Sequence, residues 1–387
     1  MKKICVVTAT RAEYDGLFPL IKKIKKQKYF SLQLVVTGAH LSKDFGLTYK
    51  KIQKDGFKIH KEINMLSSDD KAVNISKAMA IELEEFSRYL AVSRPDIIVI
   101  LGDRYELLPI CIAAMNELIP VAHISGGEIT EGALDDQVRH AVTKFSFLHF
   151  TANKKYRKRV IQLGENPNRV FAFGELSIEN IKKEKLLSKE ELKKELGFEL
   201  DKPYALITFH PVTLENNTAG KQFAELLRAL DATDLKAILT KSNADIGGRI
   251  INKIAKDYAK KKFKKAILFD NLGRILYLSA MKHAELVLGN SSSGICEAPS
   301  FSVPTVNIGD RQKGRIQSKT TVNCQPNYSD ILNTIKEVRR DSFRKKIKNA
   351  KNPYENKSTS GKIIKTLKNF LSKKNITLKK KFYDIKF

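Results

Sequence analysis

Short apolar runs rich in Val, Ile and Leu alternate with amphipathic stretches along this chain, and the alternation is completed twice. The first series offers strands at Ile4–Thr8, Leu32–Thr37, Asp96–Leu101, Val121–Ser125, Leu148–Thr151 and Val170–Phe173, with helices at Leu17–Lys26, Ala72–Tyr89, Glu106–Glu117 and Asp136–Phe145. The second offers strands at Tyr204–Phe209, Leu235–Thr240, Ala266–Phe269, Leu286–Leu288 and Thr305–Ile308, with helices at Gly220–Leu230, Ile246–Lys260 and Gly273–Met281. Strands apolar on both faces must be covered on both faces, and the intervening helices are the available cover, so both series predict parallel sheets. The pattern calls for two doubly wound α/β domains in tandem, joined within the Lys- and Glu-rich segment Gly174–Lys202, which carries a helix at Ser188–Leu196. A chain of 387 residues is long enough to bury two cores.

Several classes drop out early. No apolar run approaches the roughly 20 residues that span a bilayer. The opening Lys2-Lys3 and Ile4–Val7 give way at once to Thr10-Arg11-Ala12-Glu13, too short an apolar stretch for a secretory leader. Cys5, Cys111, Cys296 and Cys324 lie far apart without metal-ligand spacing, and the first three sit in apolar segments, which predicts buried reduced thiols and no structural metal. These features predict a cytoplasmic protein. The formal charge of +28 suggests a polyanionic partner. No aromatic-basic RNA motif or DNA-reading helix accompanies it, however, so neither a nucleic acid nor a membrane is expected as partner.

Open parallel sheets bind ligands beyond the carboxyl ends of their strands, so the residues after each strand are the informative ones. The first strand leads through Thr8–Gly16, a small-residue turn bearing Arg11, into a helix. It carries neither G-x-G-x-x-G nor a Walker A pattern, which excludes a dinucleotide cofactor on that loop. Later strand ends place His40 in Thr37-Gly38-Ala39-His40-Leu41, and Asp103 with Arg104 in Gly102-Asp103-Arg104-Tyr105-Glu106. They also place Glu128 after Gly126-Gly127, and Asp135-Asp136 ahead of Arg139-His140. His, Asp, Glu and Asp gathered after successive strands are more than independent helix caps need. The second series has its own rim: His210-Pro211, Lys241–Asp245 with Asn243, Gly289–Glu297 and Gly309–Arg315. A Ser/Gly turn entering a helix whose first turn holds Glu297, next to a basic loop, predicts a nucleoside-diphosphate site.

Taken together, these motifs resemble those of the hydrolysing UDP-N-acetylglucosamine 2-epimerases of the NeuC type, over roughly residues 2 to 370 in order and at compatible spacing. The resemblance implies a GT-B architecture: two Rossmann-like doubly wound parallel-sheet domains facing a central cleft. Residues 1–174 would form the acid/base domain, 175–355 the nucleotide-binding domain, and 356–387 a C-terminal helix and basic tail crossing back to the first. It implies a nucleotide held around His210, Asn243, Ser291, Ser292, Glu297 and Arg311, with Arg11 and Arg104 approaching the diphosphate. His40, Asp103, Glu128, Asp135 or Asp136, and His140 would surround the sugar. It further implies a homo-dimer or homo-tetramer. One departure stands out. Ser125 occupies a position that is glutamate, held to be catalytic, in the non-hydrolysing epimerases and in the bifunctional animal enzyme that makes sialic acid precursors, whose epimerase half is of the same type. The acid/base burden is therefore expected on Glu128 and the Asp135–Asp136 pair together with Asp103.

The implied reaction converts UDP-N-acetylglucosamine and water to N-acetylmannosamine and UDP, a step toward sialic acid-type sugars. The nucleoside diphosphate leaves C1 as a base takes the C2 proton, giving a 2-acetamidoglycal. Water then adds at C1 while an acid protonates C2 from the other face. Cations stabilise the departing diphosphate, and at least two carboxylates exchange protons. No redox cofactor and no metal is called for. Within the family, a UDP- or GDP-linked N,N′-diacetylbacillosamine of the legionaminic acid route is the alternative substrate. Outside it, a GT-B glycosyltransferase is the alternative activity. Much of the positive charge falls on Lys22–Lys28, Lys154–Arg159, Lys260–Lys265 and the nine lysines after Gly361. Those read as solvated faces and a tail, leaving Arg11, Arg104, Arg311, Lys313 and Arg315 as the cations relevant to one diphosphate.

Overall fold

A computed structural model describes residues 1–385 apart from residues 68, 70, 216 and 244. Ala244 of the Lys241–Asp245 loop and the last two residues of the expected 356–387 segment lie outside the described residues. The strands run β1 (Lys2–Thr8), β2 (Phe30–Thr37), β3 (Lys61–Ile63), β4 (Ile97–Leu101), β5 (Val121–Ile124), β6 (Leu148–Thr151) and β7 (Val170–Ala172). They continue as β8 (Tyr204–Thr208), β9 (Lys236–Thr240), β10 (Ala266–Phe269), β11 (Leu286–Gly289), β12 (Thr305–Ile308) and β13 (Thr321–Cys324). Two sheets result, ordered β3-β2-β1-β4-β5-β6-β7 and β10-β9-β8-β11-β12-β13. All their pairings are parallel. Both orders reverse beside the first strand of their series, so each sheet has one switch point, at β1/β4 and at β8/β11.

The chain divides into two units, Met1–Glu128 with Asp135–Asn180 and Tyr354–Phe387, and Ile129–Leu134 with Ile181–Pro353. In the first, the helix Thr359–Leu371 buries Ile363, Leu367 and Leu371 with Leu17, Leu20 and Ile24 of the first helix. In the second, Gly132 lies so close to the Asp310 carbonyl and Val212 that a Cβ there would collide with both. Cys5, Cys111 and Cys296 are buried free thiols. No helix among the described residues is long and apolar enough to cross a membrane.

Three local expectations are corrected. The first helix starts at Arg11 rather than Leu17: Thr10 accepts from the Glu13 N–H while the Glu13 side chain reaches back, and this capping box outweighs Gly16 and Pro19. Strands β3 and β13, which carry no apolar run, complete the edges of both sheets and are mostly half-exposed. Finally, the helix after β11 is a single turn, Ser292–Cys296, so Glu297 follows its end and starts a 3₁₀ turn, Ala298–Phe301.

The lysine-rich tail is also more than a solvated extension. Lys380 donates to the Lys144 and Ser146 carbonyls and to Glu165, and Tyr383 donates its N–H to the Gly164 carbonyl. Burial alone would raise the Glu165 carboxyl. Hydrogen bonds from His149, Lys144 and Lys380 overcome it and hold the group down at about 2. A folded-state value below the unfolded one contributes stability above the unfolded pKa and loses it as pH falls toward the folded one. The thermal midpoint of wild type should therefore exceed that of Glu165→Gln at neutral pH, and the gap should close between about pH 4.5 and 2. A pH series of melts showing a constant gap would remove Glu165 as the cause.

Candidate active site

At the switch point of the first unit, β1 leads to Arg11 and β4 to Gly102-Asp103-Arg104. Arg11 begins the first helix and pairs with Asp15 at 3.6 Å. Arg104 is nearly buried along the fully buried Glu106, its Nε 3.3 Å from Oε2. Behind that pair Glu13 Oε2 accepts from the Ala9 and Thr10 N–H groups. Burial, and then the Glu106 charge, push it up to about 8. Net cationic character at Arg104 is thus tempered by one adjacent carboxylate.

The centre of this rim is Arg139. Its side chain is 1 % exposed, yet it holds both Asp103 and Asp136, the latter at 2.9 Å, and donates to the Glu128 carbonyl at 3.2 Å. One guanidinium therefore ties together the end of β4, the turn after β5 and the first turn of the helix Asp135–Phe145. His140 Nε2 lies 3.5 Å from the other Asp136 oxygen. Of the two aspartates left open by the sequence, Asp136 is the one gathered onto the arginine with Asp103; Asp135 lies beside it in the same turn. Glu128 is 2 % exposed. The chain reaches it through Gly127 at φ +79°, where a Cβ would press on the Tyr156 carbonyl. His123 on β5 donates from Nε2 to the Gly102 carbonyl at 2.7 Å, bracing the same corner.

His40, expected beside the sugar, lies in the 3₁₀ turn Gly38–Leu41 that follows β2. It is fully buried, with Nε2 3.1 Å from Thr8 Oγ1 and Nδ1 2.7 Å from Thr48 Oγ1. Burial holds its pKa down at about 3, so it is a neutral bracket between β1 and the loop after β2. Such a histidine steadies the strand ends.

In the second unit the corresponding hub is Asn290, fully buried at the β8/β11 switch point. Its Oδ1 accepts from the His210 N–H at 2.7 Å and its Nδ2 donates to the His210 carbonyl at 2.8 Å. Its own carbonyl accepts from Arg311 at 3.3 Å and Gln312 at 2.9 Å. The Asn243 N–H donates to His210 Nδ1, which makes Nδ1 an acceptor and leaves the ring hydrogen on Nε2. Ser291 caps the one-turn helix, Ser292 opens it, and both are half-exposed. Among the described residues Arg311 has no carboxylate partner, so its charge stands available to an anion. Glu297, one turn further on, is half-exposed as well. The rim thus offers His210, the Asn243 loop, two serine hydroxyls and one uncompensated guanidinium.

Neither Arg139 nor Asn290 was singled out from the sequence as a site residue, although both stand inside the quoted motifs. The signal for Arg139 was the spacing Asp136-x-x-Arg139, which sets an acid and a base on one helix face. Nothing local marks Asn290, whose side-chain and carbonyl partners come from two other loops, those after β8 and β12. No group of histidine, cysteine or carboxylate side chains among the described residues has the arrangement of a metal site.

The family model described as UDP-N-acetylglucosamine 2-epimerase matches residues 22–368. A Campylobacter jejuni GDP/UDP-N,N′-diacetylbacillosamine 2-epimerase (hydrolyzing) is 46 % identical over 330 residues, 85 % of this chain and 86 % of that protein. The Escherichia coli polysialic acid biosynthesis protein P7 is 36 % identical over 388 residues, 100 % of this chain and 98 % of that one. In fold, the chain is similar to the Neisseria meningitidis UDP-GlcNAc 2-epimerase solved with UDP-GlcNAc bound, with TM-score 0.81 and 16 % identity over 95 % of this chain and 100 % of the other.

Proposed function

Because the chain belongs to the UDP-N-acetylglucosamine 2-epimerase family, we propose that it is a hydrolysing 2-epimerase of a nucleotide-linked 2-acetamido sugar, releasing the nucleoside diphosphate and the free epimerised sugar. The observation that carries the reading is the gathering of Asp103, Asp136 and the Glu128 turn on the buried Arg139. Inverting an unactivated C–H centre needs proton-transfer groups fixed in place, and a rigid guanidinium fixes two carboxylates at once. In this reading Asp103, Asp136 and Glu128 handle the protons, with Asp135 and His140 beside them. Arg11 and Arg104 add positive charge on the same rim.

The second unit supplies the donors for the diphosphate: Ser291, Ser292 and Arg311, with His210 and Asn243 oriented through Asn290. Donors fixed before the reaction stabilise the charge that develops on a leaving group. The one-turn helix contributes less dipole than a long one would, which places more weight on Arg311.

For the sugar, the name of the Campylobacter relative at 46 % identity favours a UDP- or GDP-linked N,N′-diacetylbacillosamine. A Neisseria meningitidis UDP-N-acetylglucosamine 2-epimerase at 30 % identity supports UDP-N-acetylglucosamine as the second reading. Diphosphate release from each of the three nucleotide sugars, without any acceptor, separates them and also separates a hydrolase from a glycosyltransferase. Asp103→Asn and Glu128→Gln should each lower turnover by about 10²–10⁴ and slow the entry of solvent deuterium at C2 by the same factor. Near wild-type turnover in both would sink the assignment.

A further inference from the structure

Ser125 follows β5 in the left-handed region, φ +66°, a conformation that strains a residue with a Cβ and that glycine adopts freely. Its backbone is fixed there by the bond from its N–H to the Phe150 carbonyl at 2.9 Å. Ladder register sets it beside Gly102, since Leu101 pairs with Ile124. It therefore stands about one strand spacing from the residue preceding Asp103. From this corner the Ser125 hydroxyl donates to Glu175 Oε2 at 2.7 Å.

Glu175 belongs to the same unit and follows β7. It is held from several sides: its N–H donates to the Tyr354 carbonyl at 2.9 Å, and its Oε1 accepts from the Leu176 N–H at 3.2 Å. The preceding Gly174, at φ +95°, is packed against Asn356 and Thr359, and Thr359 Oγ1 donates to the Phe173 carbonyl at 2.7 Å. Both Ser125 and Glu175 are half-exposed. A carboxylate from the β7 side is thus delivered to the rim on which Asp103, Asp136 and Glu128 stand, with a serine hydroxyl in front of it.

We infer that Ser125 and Glu175 form a proton relay of the epimerase, an inference that rests on the functional reading above. Ser125 is the catalytic residue and Glu175 the positioning residue that acts through it. In the elimination, Ser125 Oγ takes the C2 proton while passing its own proton to Glu175 Oε2. The C2–H electron pair becomes the C1–C2 π bond, and the C1–O pair leaves with the nucleoside diphosphate. Glu175 then returns its proton to water. The strained backbone of Ser125 is the feature that aims the hydroxyl, which is a reason for a serine to stand where glycine is sterically easier.

The test uses the full chain and whichever nucleotide sugar the wild type turns over. Glu175→Gln and Ser125→Gly should each lower kcat by about 10²–10³ with KM within threefold, and should flatten the acidic limb of the kcat–pH profile. Ser125→Gly, which suits the left-handed backbone, should melt no lower than wild type, so its loss of activity is not a loss of fold. Placing Ser125→Glu in the Glu175→Gln background should recover at least tenfold, because the carboxylate then reaches the rim directly. An active wild type with both single variants within threefold of it, or a double variant no better than Glu175→Gln, overturns this inference alone. A wild type that releases diphosphate from none of the nucleotide sugars overturns the functional reading and this inference with it.

Discussion

Arg139→Met is expected to reduce turnover by more than about 10³ and to destabilise the first unit by about 3 kcal/mol. The side chain it removes is 1 % exposed and serves two carboxylates and a carbonyl, so the variant takes away the one cation that Asp103 and Asp136 are seen to share. Those aspartates retain 21 % and 26 % exposure, which places the stability cost at the lower end of what breaking a buried pair incurs. Arg139→Lys should rescue little, since one ammonium cannot meet three acceptors in the plane of a guanidinium. Combining Arg139→Met with Asp103→Asn and Asp136→Asn should recover most of the stability and none of the turnover. Urea unfolding and diphosphate release on the four proteins would check this. Turnover of Arg139→Met within tenfold of wild type would show that the arginine only supports the fold.

Gly289→Ala should cost the second unit several kcal/mol, enough to lower the yield of folded protein. Gly289 ends β11 at φ +136°, paired with Thr208 on β8, and a Cβ there would be driven into the Thr208 carbonyl oxygen. That carbonyl also accepts from the Asn290 N–H, so the ladder cannot yield without moving Asn290 and the loops hung on it. Gly197→Ala is the matching control. Gly197 is also left-handed, φ +58°, but its Cβ position is open, so only the backbone term of about 1 kcal/mol applies. Thermal melts should show a far larger drop for Gly289→Ala; equal drops would mean that the β8–β11 contact relaxes freely.

Where burial is written into residue type, the sequence was legible. Central strands such as β4, Ile97–Leu101, are apolar throughout because both faces are covered, and each was expected within a residue or two. Strands β3 and β13 escaped because an edge needs no apolar run, and their pairing depends on β2 and β12 being formed already. The rims were legible because polar residues after a strand have few structural reasons to be there. What each residue does there was less so. His40 is a motif residue whose neutrality follows from being enclosed, and enclosure by Thr8 and Thr48 is a tertiary fact. Glu297 was misplaced because nothing local says that a helix entered through Ser291 lasts one turn. The Ser125–Glu175 bond joins residues fifty apart in sequence and had no local trace at all.

The threading of the first unit bears on how the protein is made. Its core includes Ile363, Ile364, Leu367 and Phe370, and its Glu175 loop leans on Tyr354, yet the whole of Ile181–Pro353 is synthesised in the meantime. At translation speeds of about 5–20 residues per second, the early half waits on the order of ten seconds or more for its last helix. During that interval Leu17, Leu20 and Ile24 present an uncovered apolar face on the ribosome, while the later unit already has most of its chain. The unit begun first is therefore the one completed last.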